Sequence, residues 1–175
     1  QLVEQFYIPA TDEVPPIKAV AEFADRHGII LAYAYLGDVG NSVTGDKKAQ
    51  KFEDDFLDDV FTTIRELGFK AVTYIAARNT AAQLDRVRAL CVRHEMFQIS
   101  GEDINQPRQK FICEALRQPE FANLVDAAWA LIGHELRATD DLAQGMFSAE
   151  TLWRLPALND RIEYFRDYAL QNAVH

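Results

Sequence analysis

The 175-residue sequence has few of the residues that define several common protein classes. It contains two cysteines and four histidines, and its 18 basic residues against 27 acidic ones give a formal net charge of −9. So few cysteines exclude a disulfide framework and favour a reduced, cytoplasmic setting. The negative balance argues against a broad electrostatic grip on nucleic acid or on acidic lipid surfaces.

Several sequence motifs of common enzymes are also missing. The sequence has no GxSxG elbow, no phosphate-binding glycine loop of the Walker or Rossmann kind and no CxxC pair. No apolar run approaches the roughly 20 residues that span a bilayer, so we expect no membrane partner. Because it begins at Gln1 rather than Met, we expect the chain to be part of a longer protein.

The spacing of apolar residues predicts alternating helices and strands. A helix over residues 16–27 precedes the short apolar run "IILAYAYL", which is typical of a strand covered on both faces. The alternation continues through a helix from Phe52 to Leu67, the strand "KAVTYIA", a helix with Thr80 and Gln83 at capping-box spacing, and the strand "MFQIS". Connections of about 10 to 20 residues favour parallel pairing through right-handed crossovers.

The pattern after residue 107 is mostly helical. The predicted fold class is therefore α/β, with parallel strands and crossover helices in residues 1–110 and a helical extension packed on them in residues 111–175. We interpret the acidic run "EDDFLDD" as the solvated face of a helix. The segment "AAWALIGHELR" and Trp153 leave a homodimer face open, although these helices more simply cover the domain's own core.

Polar residues follow each of the three predicted strands. In parallel α/β proteins ligands bind beyond the carboxyl ends of the strands, so we expect these residues to share one pocket. The polar residues that follow the third strand lie within the stretch "ISGEDINQPRQ". The candidates are Asp38 after the first strand, Arg78 and Asn79 after the second, and Glu102, Asp103, Asn105 and Arg108 after the third.

These candidates have a functional and a structural interpretation. The carboxylates and the Asn105 amide would ligate a divalent cation, while Asn79 and the two arginines would bind a substrate phosphate. Alternatively, Asp103 and Thr80 cap helices, Asn105 shapes a turn and the arginines pair with surface acids. The sequence leaves both interpretations open.

The four histidines add little to a catalytic site. His27 and His94 fall in the last turns of predicted helices, where a cation favours the helix dipole. His134 precedes Glu135 and could reach a ligand with it, although packing is the commoner role of such a pair. No histidine follows a predicted strand, which argues against a zinc hydrolase.

The order of two longer stretches resembles a known family. The sequences "GIILAYAYLGDV" and "GFKAVTYIAARNTAAQLDRVRALCVRHEMFQISGEDIN" are similar to the C-terminal half of polymerase and histidinol phosphatase (PHP) domains. The resemblance covers residues 10–110. It implies a distorted (β/α)7 barrel whose strand ends hold divalent metals (Mn, Mg, Zn or Fe) for phosphoester hydrolysis.

Residue by residue, the resemblance carries over only in part. Asp103 matches the acidic ligand of the family's DxH motif, whereas Asn105 stands where its histidine is expected. Tyr33 stands where the histidine of an "LAHP" motif would be, and the N-terminal HxH motif is absent. These departures leave two hypotheses: a divergent metal-dependent phosphoesterase acting on a small phosphorylated molecule, or a non-catalytic domain that lost metal ligands and binds a small anion or a protein partner.

Overall fold

The computed structural model describes residues 13–38, 52–102, 104, 107–108 and 111–172. Helices and strands alternate through the first half and helices fill the second, which confirms the predicted α/β class. Three short 3-10 helices connect the later elements. The elements are α1 (Ile17–Arg26), β1 (Ala32–Ala34), α2 (Leu57–Glu66), β2 (Ala71–Tyr74), α3 (Ala81–Arg93), β3 (Phe97–Ser100), α4 (Ala122–Asp140), α5 (Ala149–Arg154) and α6 (Leu158–Asn172).

The strands form one sheet in the order β1-β2-β3, and both pairings are parallel. Ala32 lies opposite Ala71, which in turn lies opposite Phe97. The predicted parallel pairing is therefore confirmed. Because all three strands run the same way, their carboxyl ends lie along one edge of the sheet.

Each face of the sheet is covered by helices. Val72 and Tyr74 pack with buried residues of α2 and α3 in one core, which Phe121 and Leu124 also join. Ala71 and Phe97 face the other way, and that core is completed by α4 and α6. The strand residues alternate between two buried faces, as expected for short strands that are apolar throughout.

Helices α4 and α6 cross at very short range. A Cβ atom added to Gly133 of α4 would lie 1.9 Å from the carbonyl oxygen of Phe165 in α6. Phe165 is itself fully buried. A residue without a side chain is therefore required at this crossing, because the two backbones leave no space for one.

The predicted start of α2 was wrong. The helix begins at Leu57 rather than Phe52, and residues 53–56 form turns. Phe52 and Phe56, which a helix starting at Phe52 would place on the same apolar stripe as Val60 and Ile64, are 68% and 48% exposed. The buried stripe of this helix starts only with Leu57.

The ends of α3 and α1 follow local sequence patterns. Thr80 and Gln83 form a complete capping box at the start of α3, as predicted. His27 and His94 occupy the C-caps of α1 and α3, in agreement with their predicted structural positions. In the part of the chain that is described, no helix is both long and apolar enough to cross a membrane.

Replacing Thr80 with Ala is expected to lower the free energy of unfolding by about 1 kcal/mol. The substitution leaves the backbone N–H of Gln83, which Thr80 Oγ1 accepts at 3.3 Å, without its cap. Chemical denaturation of the variant measures the loss. Thr80→Ser retains the hydroxyl and should stay close to the native value; an equal loss in both variants would contradict the capping role.

Candidate functional site

At least one of the candidate polar residues follows each of the three strands. Asp38 follows β1, Asn79 follows β2 and Glu102 follows β3, so all three come from the same edge of the sheet. Asp103 and Asn105, two of the proposed metal ligands, lie outside the described residues. The geometry of the site therefore depends on the first two strand ends and on Glu102.

Asn79 connects the ends of β1 and β2. Its side chain is only 9% exposed. Its Oδ1 atom accepts a hydrogen bond from the backbone N–H of Ile75 at 3.1 Å, and its Nδ2 atom donates to the carbonyl oxygen of Leu36 at 2.9 Å. Both ends of the amide are thus used inside the protein, which gives Asn79 a positioning role at this edge.

Three carboxylates after β1 form what we call the carboxylate clasp: Asp38, Glu53 and Asp54. Asp38 Oδ1 accepts from the backbone N–H groups of Phe52 at 3.0 Å and of Glu53 at 2.8 Å. In return, Glu53 Oε2 accepts from Gly37 N–H at 2.7 Å and Asp54 Oδ2 accepts from Asp38 N–H at 3.2 Å. The clasp therefore joins the two chain segments through reciprocal bonds from backbone donors to charged acceptors.

Two tyrosines of the β1 segment reach the clasp. Tyr33 donates its hydroxyl to Glu53 Oε1 at 2.5 Å, and Tyr35 donates to Asp54 Oδ1 at 2.6 Å. They are two residues apart, so they project from the same side of the extended chain. Burial, and then the neighbouring carboxylates, raise the pKa of both phenols well above the usual value, which keeps them protonated donors.

Helix α3 closes the clasp from the other side. Gln83 Nε2 donates to the Asp38 carbonyl oxygen at 2.9 Å and to Asp54 Oδ2 at 2.8 Å. Arg86 donates to the carbonyl oxygen of Asp54 and, at 2.7 Å, to the carboxylate of Asp58. Burial opposes the ionisation of Asp54, but the hydrogen bonds from Gln83, Tyr35 and the backbone hold its pKa below the usual value.

Position 37 requires glycine because neighbouring side chains crowd it next to the clasp. It has a φ of +74°, and an added Cβ would lie 2.6 Å from Asn79 Nδ2 and 2.9 Å from Gln83 Nε2. Any residue with a side chain would therefore have a strained backbone at this φ, and its Cβ atom would collide with these two amide groups. The glycine lets the chain turn directly from β1 into Asp38.

One oxygen of the clasp is available for a further interaction. Asp38 Oδ2 is buried and has no hydrogen-bond partner among the described residues, whereas Oδ1 of the same carboxylate accepts two hydrogen bonds. A buried anionic oxygen needs a cation or a donor. Asp38 thus fits the role of one oxygen ligand of a hard cation.

The remaining candidates are less organised. Glu102 is exposed and its Oε1 atom accepts from the Cys113 thiol at 2.9 Å. Arg78 is half-buried, and its Nε atom has no hydrogen-bond partner in the part of the chain that is described, whereas Arg108 is exposed. Among the described residues, no group of three or more His, Cys, Asp or Glu side chains is arranged to hold a metal ion.

Sequence reasoning missed Glu53, Asp54 and Gln83 as members of this site. The interpretation of "EDDFLDD" as a solvated helix face was wrong for its first two acids, which are half-buried in the clasp, and holds for Asp58 and Asp59, which are exposed. A signal was available: hydroxyl groups on a buried strand need acceptors. Tyr33 and Tyr35 therefore indicated that acidic or carbonyl groups would fold over β1.

No protein-family model, curated protein or solved structure matches this chain. Its function must therefore be argued from its own residues.

Proposed function

We propose that the chain is part of a divergent PHP-like, metal-dependent phosphoesterase, with its metal site beyond the carboxyl ends of β1, β2 and β3 and the strands forming part of a distorted barrel. The observation that carries this proposal is the buried Oδ2 atom of Asp38 at that edge, to which no described residue donates a hydrogen bond. An anionic oxygen in this position favours a cation nearby. The parallel strand order is compatible with a segment of a barrel.

The proposed ligands come from the segments that follow β1 and β3. Asp38 and Glu102 would each supply an oxygen, and Asp103 and Asn105 the others. A divalent cation held there, such as Mn, Mg, Zn or Fe, would lower the pKa of a bound water and neutralise the phosphate. Arg78 and Arg108 are assigned to the phosphate group of a small phosphorylated substrate, while Asn79, whose amide is already bonded at both ends, is given a positioning role instead of the phosphate contact expected from the sequence.

A second candidate is favoured by the bonds within the clasp. Most of its carboxylate oxygens accept from backbone N–H groups or tyrosine hydroxyls, and such bonds satisfy these oxygens without a metal. The alternative is a non-catalytic PHP-like domain that binds a small anion or a partner protein. Metal binding distinguishes the two.

The phosphoesterase proposal predicts that the 175-residue chain binds Mn²⁺ in a titration followed by electron paramagnetic resonance. Asp38→Asn and Asp103→Asn should each weaken that binding at least about tenfold, since even outer-shell changes at metal sites have effects of this size. Hydrolysis of p-nitrophenyl phosphate with added Mn²⁺ should fall in the same variants.

The matched control is Asp85→Asn, which removes one carboxylate from the exposed face of α3. It should leave both measurements unchanged. Absence of saturable Mn²⁺ binding in the native chain would contradict the phosphoesterase and favour the non-catalytic domain. Equal losses in all three variants would show that overall charge, and not a ligand set, controls binding.

A further inference from the structure

A cavity of about 570 Å³ lies between the chain entering β1 and helix α4. Its volume is within the range of small-molecule sites in proteins. Most of its lining side chains are apolar, and the more polar ones are His134, Glu135 and Thr139 on the α4 side and His27 at the end of α1. The apolar lining includes Ile29, Ile30, Ile99, Leu131 and Leu142.

A second cavity of about 500 Å³ adjoins the first. The two share His134, Ala138 and Leu142 among their lining residues. His134 is therefore the polar side chain at the junction of both spaces. The described candidates for the phosphoesterase site line neither cavity, so a ligand bound here would not depend on the proposed function.

The hydrogen bonding of His134 fixes which ring nitrogen carries the proton. Its Nδ1 atom accepts from the backbone N–H of Met146 at 3.0 Å, so the hydrogen of the neutral ring is on Nε2. The side chain is 94% buried, with a relative exposure of 6%. Burial lowers its pKa, although Glu135 opposes this shift, and the ring is therefore a neutral donor near pH 7.

The Nε2–H group has no acceptor among the described residues, although His134 lines both cavities. The Nε2 atom is not fully enclosed by protein, so a ligand that enters the cavity can supply the missing acceptor. A neutral donor within apolar walls matches a neutral carbonyl oxygen better than a fully charged group, because a charge would lose its hydration there.

We propose that this cavity binds a small, mainly apolar molecule with one carbonyl oxygen, and that the Nε2–H group of His134 donates a hydrogen bond to that oxygen. The apolar side chains remove the rest of the ligand from water. His134 provides the directional contact to the carbonyl oxygen. This combination of mainly apolar walls and a few placed polar groups is the usual chemistry of a small-molecule site.

Two probes of nearly equal shape test the proposal on the ¹⁵N-labelled chain: acetophenone, and α-methylstyrene, in which a CH₂ group replaces the carbonyl oxygen. Both should shift the amide signals of Ile30, Ile99 and Leu131 saturably in ¹H–¹⁵N spectra. In long-range spectra of the histidine ring, acetophenone alone should move the Nε2–H signal of His134 downfield. Equal movement of that signal by both probes would overturn the carbonyl assignment.

A variant that fills the cavity provides the second test. Ala138→Phe should weaken acetophenone binding at least about tenfold, because the new ring occupies the space in which the probe buries its apolar surface. Ile132→Phe, a substitution at an exposed position of the same helix, should leave the affinity within about twofold. If thermal unfolding shows that Ala138→Phe is not folded, Ala138→Leu replaces it. Unchanged affinity in the folded cavity variant, or absence of saturable shifts in the native chain, would overturn the site.

Discussion

Substituting Gly133 with Ala is expected to lower the free energy of unfolding by about 3 kcal/mol. The added methyl group would meet the carbonyl oxygen, carbonyl carbon and Cα atom of Phe165 at 1.9, 2.8 and 3.2 Å. These are backbone atoms, so the conflict can be relieved only if α4 and α6 move apart. The gain of about 1 kcal/mol in helix propensity does not offset that separation.

Thermal and urea denaturation measure this effect. The midpoint of thermal unfolding should fall by roughly 10 °C in a chain of this size. Ala128→Ser is the matched control, because it also adds one heavy atom to α4 but at an exposed position; its expected change is under about 0.5 kcal/mol. A Gly133→Ala variant as stable as this control would mean that the two helices do not cross as described.

The second large effect is expected at the carboxylate clasp. Asp54→Ala should cost about 3 kcal/mol of unfolding free energy, because it removes the acceptor of Tyr35 and of Gln83 together. Tyr35 is only 1% exposed, so its hydroxyl cannot readily turn to water. Urea denaturation at pH 7 measures the loss.

The control for this substitution is the neighbouring acid. Asp55→Ala changes an exposed residue and should alter stability by less than about 0.5 kcal/mol. A similar loss in both variants would show that the net charge of the acidic run, and not the clasp, is responsible. The pair thus separates specific bonds from general electrostatics.

The pH dependence of the stability difference between the native chain and Asp54→Ala gives an independent check. The pKa of folded Asp54 lies below its usual value of 3.8, so the stabilisation from its charge is fully present above that pH. It is lost as the pH falls through the lower, folded pKa. The difference in stability between the native chain and Asp54→Ala should therefore shrink below about pH 3.8; a difference that grows there would contradict the assigned direction.

The sheet could be predicted from the sequence because its signals are local. Short apolar runs, separated by segments long enough for a helix, indicate buried parallel strands. The start of α3 was predictable for the same reason, since Thr80 and Gln83 are only three residues apart. In each case, residues close in sequence determine the conformation.

The clasp was not predictable in this way. Glu53 lies 20 residues after Tyr33, and Asp54 lies 19 residues after Tyr35. Helical periodicity favoured a helix through these acids, but long-range bonds to β1 hold them in turns instead. Phe52 and Phe56 were therefore not carried into the core and pack on each other at the surface, with ring centroids 5.0 Å apart.

The sequence predicted that His134 packs within the protein, but it did not predict the cavity beside it. Its position on an amphipathic helix indicated packing, and the ring is indeed buried against Met146. The sequence could not show that the chain entering β1 leaves a space beside it. Such a space depends on how Ile29, Ile30 and Leu142 meet across elements that are more than 100 residues apart in the chain.

The clasp also affects how well the protein tolerates insertions and deletions between Asp38 and Phe52. Asp38 bonds directly to the backbone of Phe52 and Glu53, so these three residues are held together by bonds of their own. The entropic cost of joining two fixed points rises slowly with the length of the connecting chain, by about 0.6 kcal/mol for each doubling. Insertions and deletions between these anchors should therefore accumulate during evolution while the sheet behind them stays intact.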